Sequence, residues 1–398
     1  MLSGVRGFTA YRILSRSYFH LTILFVYFYD RQLSIPAVEA VLAVYGAALA
    51  LAGPVVRPIA ARLSLTATVG LGEALKALGL LLLAAPGGTP VAVVAQIIAA
   101  LGFSLASGTD SALLSELCRR DGEDARGWES RSGSLTFIAA LIAGIAGAVL
   151  YQVGRELPFI LSAVMSALAA IVVVSVGRGL EHVAAPAGKP SQAAAGRAGF
   201  GPVLRWSAFY TVVRGSVLAL FIGFLPYLLY VRLHASLPVF GLILGSYTLS
   251  GYFSARFAKP LVERLGARGT AVVSVGLTGL GLLVLLWQEN VAGAAVATVA
   301  LGAGVGGVRP MVVGAVNAAL ADRPALERAA ALRGNEARFA AFNTLLILLA
   351  GVALDRVPFS HLVAGIAAGY LAVAAIVLVA LPRPHAAAAP AAQPATAS

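Results

Sequence analysis

Arg57-Pro58-Ile59-Ala60-Ala61-Arg62-Leu63 recurs 202 residues later as Lys259-Pro260-Leu261-Val262-Glu263-Arg264-Leu265. The same offset carries Ser34-Ile35-Pro36 onto Ser236-Leu237-Pro238, and Leu42 and Tyr45 onto Leu244 and Tyr247. Thr9 and Arg12 map onto Thr211 and Arg214, and Gly102 onto Gly304. A gap-free offset held over this much chain means two structurally equivalent halves.

The halves are membrane-like in composition. The chain is 59% hydrophobic and 12% charged, where a soluble domain has roughly 45–50% apolar residues. An apolar helix of about 20 residues crosses a hydrocarbon core of about 30 Å. On that measure the expected spans are 12–30, 38–60, 66–85, 90–116, 132–153 and 157–177 in one half. In the other they are 210–231, 238–257, 268–287, 291–319, 338–354 and 360–381. The fold expected is an all-α integral membrane protein with twelve transmembrane helices in two pseudo-symmetric six-helix bundles, a plan shared by many secondary transporters.

The net charge of +12 does not call for nucleic acid once its placement is followed. Of the 29 Lys and Arg, 22 fall on one side, four on the other (Arg31, Arg155, Arg232, Arg356), and three within spans (Lys76, Arg214, Arg309). By the positive-inside rule both termini are cytoplasmic. The expected organisation is a bundle over 1–179, a cytoplasmic linker over 180–203 rich in Pro, Gly and polar residues, and a bundle over 204–381. An Ala/Pro-rich cytoplasmic tail over 382–398 follows. Arg6, Arg12 and Arg16 before an apolar run mimic a signal peptide. The run lacks a small-residue cleavage pattern and reads as a retained first helix. Cys118, the single cysteine, makes no internal disulfide and is expected at the cytoplasmic end of the fourth helix. Alanine and arginine dominance fits a GC-rich bacterial genome, hence an inner membrane.

Six helices, a linker and six more, with both ends inside, resemble the major facilitator superfamily. The resemblance covers roughly residues 8–381. Pro260 to Arg268 is similar to that family's acidic-basic loop, and the first copy is eroded, with Ala61, Ser64 and Thr66 at the acid, glycine and final arginine positions. Ser107-Gly108-Thr109-Asp110 is similar to a stretch common in the family's fourth helix. Gln96 to Gly102 lacks the arginine of the proton-driven drug antiporters, and Gly144-Ile-Ala-Gly147 lacks their proline. The resemblance implies transport by alternating access, with Glu263 and Arg264 in a conformational role.

Ionisable groups at membrane depth are functional candidates. Asp110 and Arg309 sit at comparable depth on opposite halves, a candidate cytoplasmic gate; the alternatives are that each is satisfied within its own half or lies in the headgroup layer. Glu73 and Lys76, spaced i,i+3, read as a self-neutralising pair. Arg12 and Arg214 sit where long side chains snorkel. On a helical period Tyr18, Thr22, Phe25 and Tyr29 form one stripe. With Gln96, Tyr227, Tyr247, Asn317 and Asn343, the stripe residues Tyr18, Thr22 and Phe25 are the candidate solute-binding set. Interfacial anchoring and helix packing are the competing roles. The glycine run Gly302–Gly307 lacks the strand context of a dinucleotide loop. No metal site, cofactor or enzymatic constellation is expected.

The function expected is secondary-active transport of a small organic solute, amphipathic or aromatic, by a monomeric exporter coupled to protons, surrounded by lipid. Uptake of a sugar or organic acid, and a transporter-like scaffold or sensor without flux, are the alternatives.

Overall fold

The computed structural model describes residues 4–177, 200–287 and 289–382. Linker residues 180–199 and tail residues 383–398 lie outside the described residues. The first half holds α1 (Gly4–Ser15), α2 (Leu24–Tyr29), α3 (Ile35–Leu51), α4 (Gly53–Arg62) and α5 (Leu65–Ala84). It continues with α6 (Gly88–Ala106), α7 (Thr109–Asp121), α8 (Ala125–Val153) and α9 (Leu157–Gly177). The second holds α10 (Phe200–Ala219), two π-helical turns (Leu220–Phe224, Tyr227–Arg232), α11 (Leu237–Arg256) and α12 (Ala258–Trp287). It ends with α13 (Val291–Gly306), α14 (Val308–Ala319), α15 (Ala325–Leu354) and α16 (Phe359–Ala380).

Each expected span falls on helix. Among the described residues nine helices are long and apolar enough to cross a bilayer, and the pair α3–α4, bent by 51°, makes a tenth. Two expected spans do not reach that standard. The first is broken between α1 and α2. The other, α11, carries Ser246, Tyr247, Thr248, Ser250, Tyr252 and Ser254 in close succession. Its polar groups are satisfied inside the protein: Ser246 bonds Thr298 at 2.6 Å, and Gly307 N–H donates to Ser254 Oγ at 3.0 Å.

The halves meet along two helix pairs, α3 with α15 and α8 with α11. The 202-residue offset exchanges these pairs, so the interface has the symmetry of the sequence repeat. Gly46 on α3 lies against the Thr344 hydroxyl on α15, where a Cβ would collide. Close approach through small residues is how membrane helices gain packing contacts when lipid is as apolar as the side chains. Ile171, Ile376 and Val379 lie exposed on peripheral helices, as a hydrocarbon solvent requires.

Several expected boundaries shift, α1 to Gly4 rather than 12 and α12 to Ala258 rather than 268 among them. Helix α8 begins at Ala125 rather than 132, α15 at Ala325 rather than 338, and α10 at Phe200, inside the expected linker. The repeated heptapeptide is helical in both copies, within α4 and at the start of α12, where Gly266 (φ 72°) kinks the chain. The extended helices carry charges that an apolar window cuts off.

Cys118 is 1% exposed, so its thiol is a poor reporter of sidedness. The expected topology is tested with Ser191→Cys in a Cys118→Ser background. An impermeant maleimide should modify it only after the cells are permeabilised. Modification of intact cells would invert the orientation.

Candidate functional site: a charged cavity between the halves

A cavity of about 190 Å³ lies between the halves. The first half contributes Arg12, Arg16, Tyr18, Thr22, Asp110 and Glu129; the second contributes Arg214, Phe221, Tyr247 and Arg309. Irregular backbone borders it from both sides. Residues Arg16–Ile23, between α1 and α2, are non-helical. The same offset brings them onto the π-helical turn Leu220–Phe224. Non-helical backbone at membrane depth is tolerated where it is buried in protein or lines a cavity. Here its polar groups find partners: His20 N–H donates to Ser162 Oγ (3.3 Å) and Thr22 Oγ1 to the Gly144 carbonyl (3.1 Å). Gly147 permits this approach, because a Cβ there would overlap the Phe19 carbonyl.

The inner wall is an ion cluster. The span made by α6 and α7 breaks at Ser107–Gly108, with Gly108 at φ 78°, and α7 restarts at Thr109. Asp110 therefore sits in a helical first turn, where the dipole favours an anion. Its Oδ1 accepts from Gly108 N–H (3.1 Å) and Ser111 N–H (2.8 Å). Arg12 donates to Ser132 (2.8 Å), Ser111 (3.0 Å), Glu129 (3.0 Å) and Asp110 (3.4 Å). All four partners belong to the first half. Arg309 comes from the other half. It donates to Glu129 Oε1 at 3.0 Å and lies 3.6 Å from Asp110 and 3.8 Å from Glu336. Glu336 also accepts from Tyr210 (2.6 Å) and Arg214 (3.3 Å).

Beside the cavity, Lys76 and Glu73 pair at 2.8 Å. Ser15 (2.7 Å), Tyr11 (3.3 Å) and Ser166 (3.2 Å) also donate to Glu73. The pair is buried within the first half, and Lys76 lies 5.3 Å above the Tyr18 ring.

Of the residues singled out from sequence, Asp110, Arg309, Tyr18, Thr22 and Tyr247 line the cavity. The stripe does not hold as a stripe, because the chain is not helical between Tyr18 and Thr22. Phe25 is 1% exposed and stacks on Tyr29 in the core. Gln96 is buried on α6 away from the cavity, and Tyr227 stacks on Phe359 toward the outer end. Asn343 donates to the Gly215 carbonyl (3.1 Å), a helix-packing bond. Asn317 borders a separate inner crevice with Ser111 and Asp124. Glu263 and Arg264 are exposed and, among the described residues, enter no ion pair; at that loop Lys259 meets Asp124 of the first half at 2.9 Å.

Arg12 corrects the snorkelling expectation: it is 2% exposed and is the centre of the cluster. Its recurrence as Arg214 was the available signal. Glu129 and Glu336 escaped because both precede the apolar windows of α8 and α15, on the turns by which those helices extend inward. The cavity wall is also more charged than an aromatic lining implies, with four arginines against two carboxylates.

Removing one partner of a buried ion pair costs roughly 3–5 kcal/mol. Arg12→Gln should lose stability on that scale, read as a lower thermal midpoint and folded yield in detergent. Arg309→Gln removes bonds that cross between the halves. It should leave the midpoint closer to wild type while raising labelling of a cavity cysteine from the cytoplasmic side. Equal effects of the two substitutions on both readouts would contradict the assignment.

No family model matches the chain, and no curated protein matches it in sequence. Solved structures do match in shape. The nucleoside transporter NupG, in a mutant form, superposes with TM-score 0.73 at 12% identity, over 96% of this chain and 100% of NupG. A mutant of the peptide transporter POT superposes with TM-score 0.65 at 16% identity, over 94% of this chain and 92% of POT. Two helical halves packed through equivalent helix pairs around one central cavity are, in this chain, the major-facilitator fold.

Proposed function

We propose that this protein is a secondary-active transporter that moves a small organic solute by alternating access through the cavity between its halves. The observation that carries the reading is the presence of inter-half polar contacts at both ends of that cavity. At the inner end Arg309 reaches Glu129 and Asp110, and Ser130 Oγ donates to the Ala255 carbonyl at 2.7 Å. At the outer end Tyr230 donates to Asp30 at 3.0 Å, and Tyr151 of the first half holds the same carboxylate at 3.0 Å. At the inner end Lys259 with Asp124, Arg328 with Glu116 and Arg333 with Thr109 also cross between the halves; the contacts at both ends are polar, and either end can part while the other holds. Rocking of one repeat against the other about a midplane site is how such repeats work.

The lining favours an amphipathic solute that carries an anionic group. Tyr18, Phe221 and Tyr247 offer ring faces; Phe221 and Tyr247 lie 4.6 Å apart. The lining arginines outnumber the lining carboxylates, and a guanidinium suits a carboxylate through paired donors. Arg214 has donors to spare beyond its contact with Glu336. An organic acid, named from sequence only as an alternative, thus gains support over a neutral sugar. Protons are the proposed coupling ion, and export is the proposed direction.

Proteoliposomes carrying a pH gradient test this with a panel of radiolabelled aromatic and aliphatic carboxylates and their neutral amides. Saturable flux of a carboxylate, above that of its amide, is the expected result. Arg214→Gln should lower it roughly tenfold, the loss expected for one charge-assisted hydrogen bond. Folded protein that moves none of the panel in either vesicle orientation would favour a scaffold or sensor instead.

A further inference from the structure

Glu39 stands apart from the ion cluster. It lies on α3, four residues past the first residue Ile35, and is 0% exposed. Neither carboxylate oxygen has a hydrogen-bond partner. The groove that receives it belongs to the other half and is shaped by two glycines. A Cβ at Gly223, in the π-helical turn, would lie 2.6 Å from Glu39 Oε1. A Cβ at Gly351 on α15 would lie 2.7 Å from Glu39 Cβ. The side chain of one half thus fills a socket in the other, on the same side of the cavity as the Asp30–Tyr230 contact.

The elements packed on α3 are α15, α6, α2, α4 and the π-helical turn. Their charged and titratable groups do not answer Glu39. Asp30 is held by Tyr151 and Tyr230, and Arg232, beyond the π-helical turn, pairs with Glu289 at 2.9 Å. Tyr27 donates to the Leu83 carbonyl at 2.6 Å, and Tyr29 packs on Tyr230. Arg57 and Arg62 sit on α4, past the bend, and Tyr45 lies further along α3 itself. Glu327, Arg328, Arg333, Glu336 and Arg338 occupy the distant part of α15. Asp355 and Arg356 follow its end and are exposed. Helix α6 has no ionisable residue. Among the described residues, none donates a hydrogen bond to Glu39.

We propose that Glu39 is a proton-binding site that couples protonation to closure of the outer side. An unpaired carboxylate in a dry socket is far costlier than a neutral carboxylic acid. Closure therefore selects the protonated side chain. Opening the outer side withdraws Glu39 from the Gly223–Gly351 socket into water, where it releases the proton. The sign follows: the closed state binds one proton more, so raising the outside pH favours the open state, by up to about tenfold per pH unit for a single site. The proposal rests on the alternating-access reading and adds the residue that links it to protons.

The test reads conformation without any solute. Leu218, which lines the cavity, is replaced by cysteine in a Cys118→Ser background. Labelling by an impermeant maleimide is followed in intact cells as the outside pH is varied from about 5 to 9, a range that includes documented buried carboxyls. Because the thiolate is the reacting form, each rate is divided by that of the same cysteine in denatured protein at the same pH. With Glu39 present the normalised rate should rise with pH. Glu39→Gln, which cannot ionise, should give a low, flat normalised profile. Glu39→Leu, a neutral side chain suited to an apolar socket, should do the same and guards against misfolding of the amide. A flat profile with Glu39 in place, or a normal slope in both variants, would overturn the proposal. Flux can fail while this slope persists, and the slope can fail while flux persists, so the two readings fall separately.

Discussion

A charge placed in a low-dielectric interior must find a partner, and this protein's cavity is organised by that demand. Arg12 is buried inside the first half with Asp110, Glu129, Ser111 and Ser132 as partners. Bringing Asp110 within reach requires the break at Ser107–Gly108, which turns α7 so that its first turn faces the cluster. Bringing Glu129 within reach requires α8 to continue well beyond its apolar stretch. The result is an acidic group already satisfied on one side, with Glu129 Oε1 and Asp110 Oδ1 presented to the second half. Arg309 fills that position. The bonds holding the first half together and those holding the halves to each other thus share carboxylates, and Asp110 Oδ1 and Glu129 Oε1 serve both sets.

The two halves repeat one device and differ in the charges around it. An arginine on the first helix of each half, Arg12 or Arg214, faces an acid on the inward extension of its fifth helix, Glu129 or Glu336. The offset places Arg309 where the first half has Ser107. The first half adds Asp110 where the second has Val312. The surplus acid and surplus base face one another across the interface, which makes the inner contact a consequence of broken symmetry. The outer contact is of another kind: a carboxylate shared by two tyrosines, and a carboxyl seated between two glycines.

Much of the architecture was legible in the chain. The offset identified two halves, the charge distribution predicted their sidedness, and eleven of the twelve apolar stretches became largely helix. What escaped was where apolar periodicity and helix part company. Residues Arg16–Ile23 contain no proline or glycine and read as helix, yet they are held open by Ser162, Gly144 and Gly147 from elsewhere in the fold. Glu129 and Glu336 lie on helix but outside the apolar windows that define spans. Glu39, second in its expected span, was not singled out, because nothing in the chain marks Gly223 and Gly351 as the groove around it. Asp110 and Arg309 stood out because ionisable groups inside apolar stretches are rare. Asn343 and Gln96 stood out as polar amides inside apolar stretches but are buried in helix packing away from the cavity.

The account depends on the two ends opening in alternation. Pulsed electron-resonance distances between spin labels measure this most directly, with one pair at Arg119 and Arg264 on the inner surface and another at Thr89 and Arg356 on the outer surface. All four positions are exposed. Two distance populations are predicted for each pair, with conditions that lengthen the inner distance shortening the outer one. Arg309→Gln should favour the long inner distance. A single unchanging distance at both ends, or inner and outer distances that lengthen together, would contradict an alternating mechanism.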